Sequence, residues 1–165
     1  MREEVKMLGS TDTKTLTSDQ AWIQLAAENL GRLITSTEDG DVEIFPINYI
    51  RLSDVIMLRT ESGTKLSTIA TFPTVIFEVD HQDLENRSAW SVVVHATAHI
   101  VSNDWARRLA SSCGLHPIAA PYGRDIVVLT PSSLSGRTFG TDRAQTGRPH
   151  PDDTSETDTK GQTLS

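Results

Sequence analysis

One cysteine, Cys113, stands in a chain of 165 residues. No internal disulfide can form, and no cluster with zinc-ligand spacing exists, so packing is the role left to that thiol. Cations are also in the minority: 15 Lys and Arg face 22 Asp and Glu, a formal net charge of -7. Affinity for nucleic acid rests on many phosphate-neutralising side chains, so a general role on DNA or RNA is excluded and any cationic site must be local. Long apolar runs are missing too. The start, MREEVKMLGS, carries acidic residues and no apolar segment, and nothing later reaches the length of a membrane span, so no membrane role and a cytoplasmic location are expected. No serine lies in a G-x-S-x-G elbow, which removes that signature of a hydrolase. What is present, a 37% hydrophobic content, fits one globular domain with a real core.

Residues 1–16 are polar and without periodicity, and are expected to be flexible. From residue 140 onward Thr, Asp, Gly, Ser and Pro dominate, a composition that cannot bury enough apolar surface to offset its ordering entropy; 140–165 is expected to be disordered. The domain is therefore placed at 17–139. Thr17-Ser18-Asp19-Gln20 forms a capping-box pattern ahead of Trp22, Leu25 and Ala26 at helical spacing, with Gly31 as the expected stop. Six strands follow: RLITST, then VEIFPINYIRL across a tight Asp39-Gly40 turn, VIMLRT, PTVIFEVD, AWSVVVHATAHIVS and RDIVVLT. SGTKLSTIATF reads as a short helix, and DWARRLASSC as another capped by Ser102 or Asn103. Six strands with short turns and few helices predict a mainly β fold, an antiparallel barrel.

Several constellations reduce to structure. His95 and His99 would share a metal on a helix, but on a strand four residues span roughly 13 Å, and the valine-rich alternation around them is that of a strand. Asp39 and Asp41 sit in a turn, and Asp152 and Asp153 in the tail, where solvation explains them. Pro46 is different, because it interrupts IFPINYI and removes a ladder donor, which frees neighbouring backbone groups for a ligand laid against the strand. The next strand ends in LRTESGTKL, where Arg59 offers a planar fork, Lys65 a point charge, Thr60 and Thr64 hydroxyls, and Gly63 with the following helical turn free N–H groups. That supply fits a phosphate monoester dianion.

With FPINY, RTESGTKL and AWSV as its most specific pieces, and GRLITSTEDGDVEIFPINYI, VIFEVD and LTPSSLSGRTF in the same order, the sequence over roughly residues 18–139 resembles the pyridoxamine 5′-phosphate oxidase-related, FMN-binding split-barrel proteins, especially their small actinobacterial-type branch. The resemblance implies a six-stranded antiparallel split barrel, a homodimer, and one flavin in each of two clefts between subunits. It places the backbone of Phe45, Pro46, Ile47, Asn48 and Tyr49 against the isoalloxazine ring, the segment with Arg59, Thr60, Thr64 and Lys65 on the ribityl phosphate, and Trp90 and Ser91 at the partner's cleft. Arg137 matches an end motif of the family. The Arg- and His-containing substrate signature of the true vitamin B6 oxidases has no match here, so that substrate is not expected.

The resulting expectation is an FMN-dependent oxidoreductase of unassigned substrate, in which the flavin carries the electrons and the protein supplies binding and orientation. A non-catalytic protein that binds or stores FMN, a deazaflavin coenzyme or haem on the same fold is the alternative. No catalytic side chain and no metal ligand is singled out.

Overall fold

The computed structural model describes residues 12–60, 63–115 and 125–140. The expected tail beyond Gly140, and Glu61 and Ser62 of the LRTESGTKL stretch, lie outside the described residues.

In chain order the elements are β1 (Asp12–Thr15), α1 (Ser18–Ala27), β2 (Leu30–Ser36), β3 (Val42–Leu52), β4 (Val55–Thr60), α2 (Thr64–Thr71), β5 (Thr74–Asp83), β6 (Ser88–Val101), α3 (Asp104–Ser112) and β7 (Asp125–Gly140). All pairings are antiparallel, and the strand order β7-β4-β3-β2-β5-β6 returns to β7 through a β6–β7 pairing. Six strands thus close a ring, which leaves no free edge in the barrel itself.

The six expected strands are all present, and a seventh, β1, lies inside the stretch expected to be flexible. Its sequence, DTKT, has no apolar alternation to announce it. The reason for the difference is a vacant ladder: β4 pairs with β7 only from Asp125 to Leu129, so Arg137 to Gly140 need another neighbour, and Thr15 to Asp12 supply it. Leu16 fixes that register by donating its N–H to the Gly136 carbonyl at 2.9 Å and lying on the Gly136 backbone. β7 also runs ten residues past the expected end. Pro131, which has no N–H to give, is accommodated by a bulge that leaves Ser132 out of the β6 pairing, and the Ser132 hydroxyl donates to the His95 carbonyl at 3.1 Å.

The helix caps follow the sequence. The Thr17 hydroxyl accepts from Gln20 N–H and the Gln20 side chain accepts from Thr17 N–H, closing the capping box, while Asn103 caps α3. Gly31 is not the stop of α1. That helix ends at Ala27, and its carbonyls are covered from β3: the Tyr49 hydroxyl donates to Leu25 O at 2.7 Å and Arg51 Nη1 to Trp22 O at 3.3 Å. Gly31 lies inside β2, where a Cβ would stand 2.3 Å from Phe77 Cζ, so the position needs glycine for space and not for a turn.

Alternation along the strands divides the apolar residues into two cores. Leu33, Ile47, Tyr49, Ile56, Leu58, Phe77, Val92 and Val94 fill the barrel, with Tyr49 and Phe77 edge to face at 5.0 Å. Met57, Ala106, Ala110, Leu115 and Ile126 form a smaller core between the outer wall and α3. β6 alternates as the sequence predicts, with Val92, Val94, Ala96 and Ala98 buried and His95, Thr97 and His99 exposed.

Candidate cofactor-binding site

Because successive strand residues face opposite sides, β4 splits the expected cluster. Ile56 and Leu58 point into the barrel, and Thr60, 8% exposed, shares that face; Met57 points to α3, and Arg59 shares that one. α2 begins four residues after Thr60, with Gly63 as its N-cap, which has no side chain to offer the first-turn N–H groups. Lys65, in that first turn, reaches back so that its Nζ donates to Thr60 Oγ1 at 3.5 Å and sits 4.7 Å from the centre of the Phe45 ring. Phe45, Thr60, Gly63 and Lys65 are therefore brought together, with Thr64 opening the helix beside them.

Arg59 is not brought to this group. Its Nη1 donates to Ser111 Oγ at 3.1 Å and to the Leu115 carbonyl at 3.2 Å, covering the C-terminal end of α3 as a cation should. Ile47 and Tyr49 are buried in the barrel, and Tyr49 is held protonated above the ordinary tyrosine range, first by burial and then by the nearby Glu28 carboxylate. Pro46 and Asn48 occupy the outer face of β3. Trp90 and Ser91 lie on β6, with β2 and β5 between that strand and β3, so a single chain does not bring them to Phe45. Trp90 stacks on His81 at 6.1 Å and packs on the main core, and Ser91 is paired between Asp80 and Arg137.

The sequence gives no warning of a second group beside Pro46. In register, Pro46 faces Arg32 and Arg32 faces Glu78. Arg32 Nη1 donates to Glu78 Oε2 at 2.7 Å and also to Asp80 Oδ1, and these contacts, Asp80 first, hold the guanidinium charged. His81 Nδ1 lies 2.9 Å from Glu28 Oε1. A cavity of about 190 Å³ opens among Glu28, Leu30, Gly31, Arg32, Pro46 and Asp80. The i, i+2 spacing of Glu78 and Asp80 put both on one strand face; only the register sets Arg32 between them.

The outer face around this cavity is apolar for a sheet surface. Ile44, Ile34 and Ile76 form one cross-strand row, and Val42, Ile44 and Leu30 are 64%, 61% and 52% exposed. Among the described residues no helix is long and apolar enough to cross a membrane.

The donor set fits a phosphorylated flavin in chemistry: Lys65 Nζ, the Thr60 hydroxyl and the uncapped first turn of α2 all serve an anion. Together, the closed antiparallel ring and this helix-terminal group define a split barrel of the flavin-binding type. The chain belongs to the pyridoxamine 5′-phosphate oxidase family, whose sequence profile matches residues 17–138. It is 29% identical to a Corynebacterium glutamicum protein named for pyridoxamine 5′-phosphate oxidase, covering 78% of this chain and 94% of that one with a TM-score of 0.67. To the FAD binding protein of Mycobacterium smegmatis it is 28% identical, over 77% of this chain and 98% of that one, with a TM-score of 0.63. An uncharacterized protein of Mycobacterium tuberculosis is 32% identical over 95 residues, 55% of this chain and 84% of the relative.

Proposed function

We propose that the protein is an FMN-dependent oxidoreductase, with its substrate unassigned. The observation that carries the reading is the approach of Lys65 to Thr60 at the uncapped start of α2, directly above Phe45. Lys65, Thr60 and Thr64 with the first-turn N–H groups hold the ribityl phosphate, and the backbone of Phe45 to Tyr49, loosened by Pro46, lies along the isoalloxazine ring. Arg59 steadies the end of α3 behind this clamp and joins the phosphate only by leaving Ser111 and Leu115.

The protein works as a homodimer, a reading supported by the exposed apolar residues Ile44 and Val42 on the outer face beside Ile34, a patch of the kind that marks an interaction surface. In that pairing Trp90 and Ser91 of one protomer approach the partner's cleft. FMN or a related flavin supplies hydride or electron transfer when bound; the chain binds, orients and shields it.

Calorimetric titration with FMN and riboflavin tests the clamp. FMN is expected to bind more tightly, and equal affinities would sink the assignment of Lys65 and Thr60 to a phosphate. A non-catalytic module that stores FMN, a deazaflavin or haem is the second reading, favoured by the Mycobacterium smegmatis relative, which is described by what it binds alone.

A further inference from the structure

We propose that the cavity beside Pro46 receives small organic cations, and that, where the flavin reading holds, it is the pocket of the second reactant. The cavity lies against the strand assigned to the flavin ring, and at about 190 Å³ it is the size of one small ring or a short branched chain. That volume corresponds to about six waters at liquid density.

Its walls are built to stay open and flat. Gly31 contributes backbone alone, because a Cβ there would point away from the cavity, into the barrel against Phe77. Pro46 adds a ring face without an N–H, and Leu30 an exposed apolar side chain. These surfaces suit a planar or alkyl body and give it no hydrogen bond.

The rim supplies the charge preference. Three carboxylates, Glu28, Glu78 and Asp80, surround one guanidinium, that of Arg32, which leaves an excess of two negative charges while His81 is neutral and one when it is protonated. Glu28, Asp80 and Arg32 line the cavity itself, two carboxylates to one guanidinium, and its apolar walls focus the net negative field into it. A neutral molecule of the same shape finds the walls alone, and an anion is repelled.

The probes are three rings of nearly one shape: 1-methylnicotinamide, a cation; nicotinamide, neutral; and nicotinate, an anion. Each is titrated into the full chain, with and without FMN, by calorimetry and by amide NMR. The cation is expected to bind about tenfold more tightly than the neutral ring, to shift the Leu30 and Gly31 amides, and to weaken as salt rises. Asp80→Asn and Glu28→Gln should each lower its affinity severalfold while leaving FMN affinity unchanged. Leu30→Arg, which leaves every carboxylate in place, should abolish cation binding and serves if the other variants fold poorly. Equal affinities for cation and neutral ring, or shifts that map away from Leu30 and Gly31, overturn the proposal. FMN binding is read separately in the same samples, so a chain that takes the cation but no FMN overturns the flavin reading and supports the cavity.

Discussion

Lys65 and Arg59 are six residues apart in sequence and serve opposite sides of the wall, because β4 alternates and α2 turns back over the barrel mouth. Lys65 is the cation left beside Thr60, so Lys65→Ala is expected to remove about 1.5–3 kcal/mol of FMN affinity, the worth of one charge-assisted hydrogen bond, and to leave riboflavin affinity nearly unchanged. Parallel titrations check this; equal losses for both ligands would place Lys65 on the ring or in the fold. Gly31 is the position where one added methyl meets an aromatic ring. Gly31→Ala should cost about 1–3 kcal/mol in urea unfolding through overpacking, and Phe77→Leu in the same chain should recover part of the loss. Tyr49 gives a pH signature. Burial, and secondarily Glu28, raise its pKa in the folded chain, so above the unfolded value of about 10 the folded state keeps a proton that the unfolded state releases. Its contribution is full below that pH and is lost as pH rises further. Tyr49→Phe should therefore be less stable by about 0.5–1.5 kcal/mol near neutrality for the lost bond to Leu25, yet show a shallower alkaline decline. Parallel slopes for wild type and variant between about pH 8 and 11 would show that Tyr49 ionises freely when folded.

Among the elements, α1 is held at both ends by groups outside its own hydrogen-bond ladder. The capping box at Thr17 closes its start, and Tyr49 with Arg51 covers carbonyls near its end, Arg51 also lying 5.0 Å over the Trp22 ring. Thr17→Ala should lower unfolding stability by about 1 kcal/mol, whereas Thr17→Asp, a capping residue itself, should restore it; melting midpoints of the three chains decide. Among the described residues no side chain caps the first turn of α2, consistent with a helix start set aside for a ligand. α3 is tied back by Arg59 through Ser111 and Leu115, which connects β4 to the outer core.

For the whole molecule, the proposed function turns on whether the barrel transfers electrons through the proposed flavin or only holds it. An oxidoreductase must leave one ring face open and hold a donor within reach, converting an encounter into a positioned reaction. Flavin bound to the protein is then expected to be reduced by NADH, NADPH or a reduced deazaflavin faster than free FMN, as followed by anaerobic stopped-flow bleaching of the flavin band. Acceleration by one donor names the electron source; reduction no faster than free FMN with all three would move the reading to the storage module. The proposed dimer enters here because two strands, β2 and β5, separate Trp90 and Ser91 from β3 in one chain. Light scattering at micromolar protein that gives the mass of a single chain would remove the shared cleft.

The sequence by itself determined the elements whose signals are local: the capping box at Thr17, the Asp39-Gly40 turn, the alternation that buries Val92, Val94 and Ala96, and the donor-rich stretch around Gly63. These depend on residues a few positions apart, so spacing suffices to read them. What spacing does not carry is which strand lies beside which. β1 has no pattern of its own and exists because β4 stops short on β7, Gly31 is glycine because Phe77 leans over it, and Arg32 meets Glu78 and Asp80 only through the β2–β5 register. The same holds within the proposed anion site, where both cations were legible as residue types, but the side of the wall each one faces was decided by the packing of α3 against Met57 and Ile126 and by the return of α2 over Phe45.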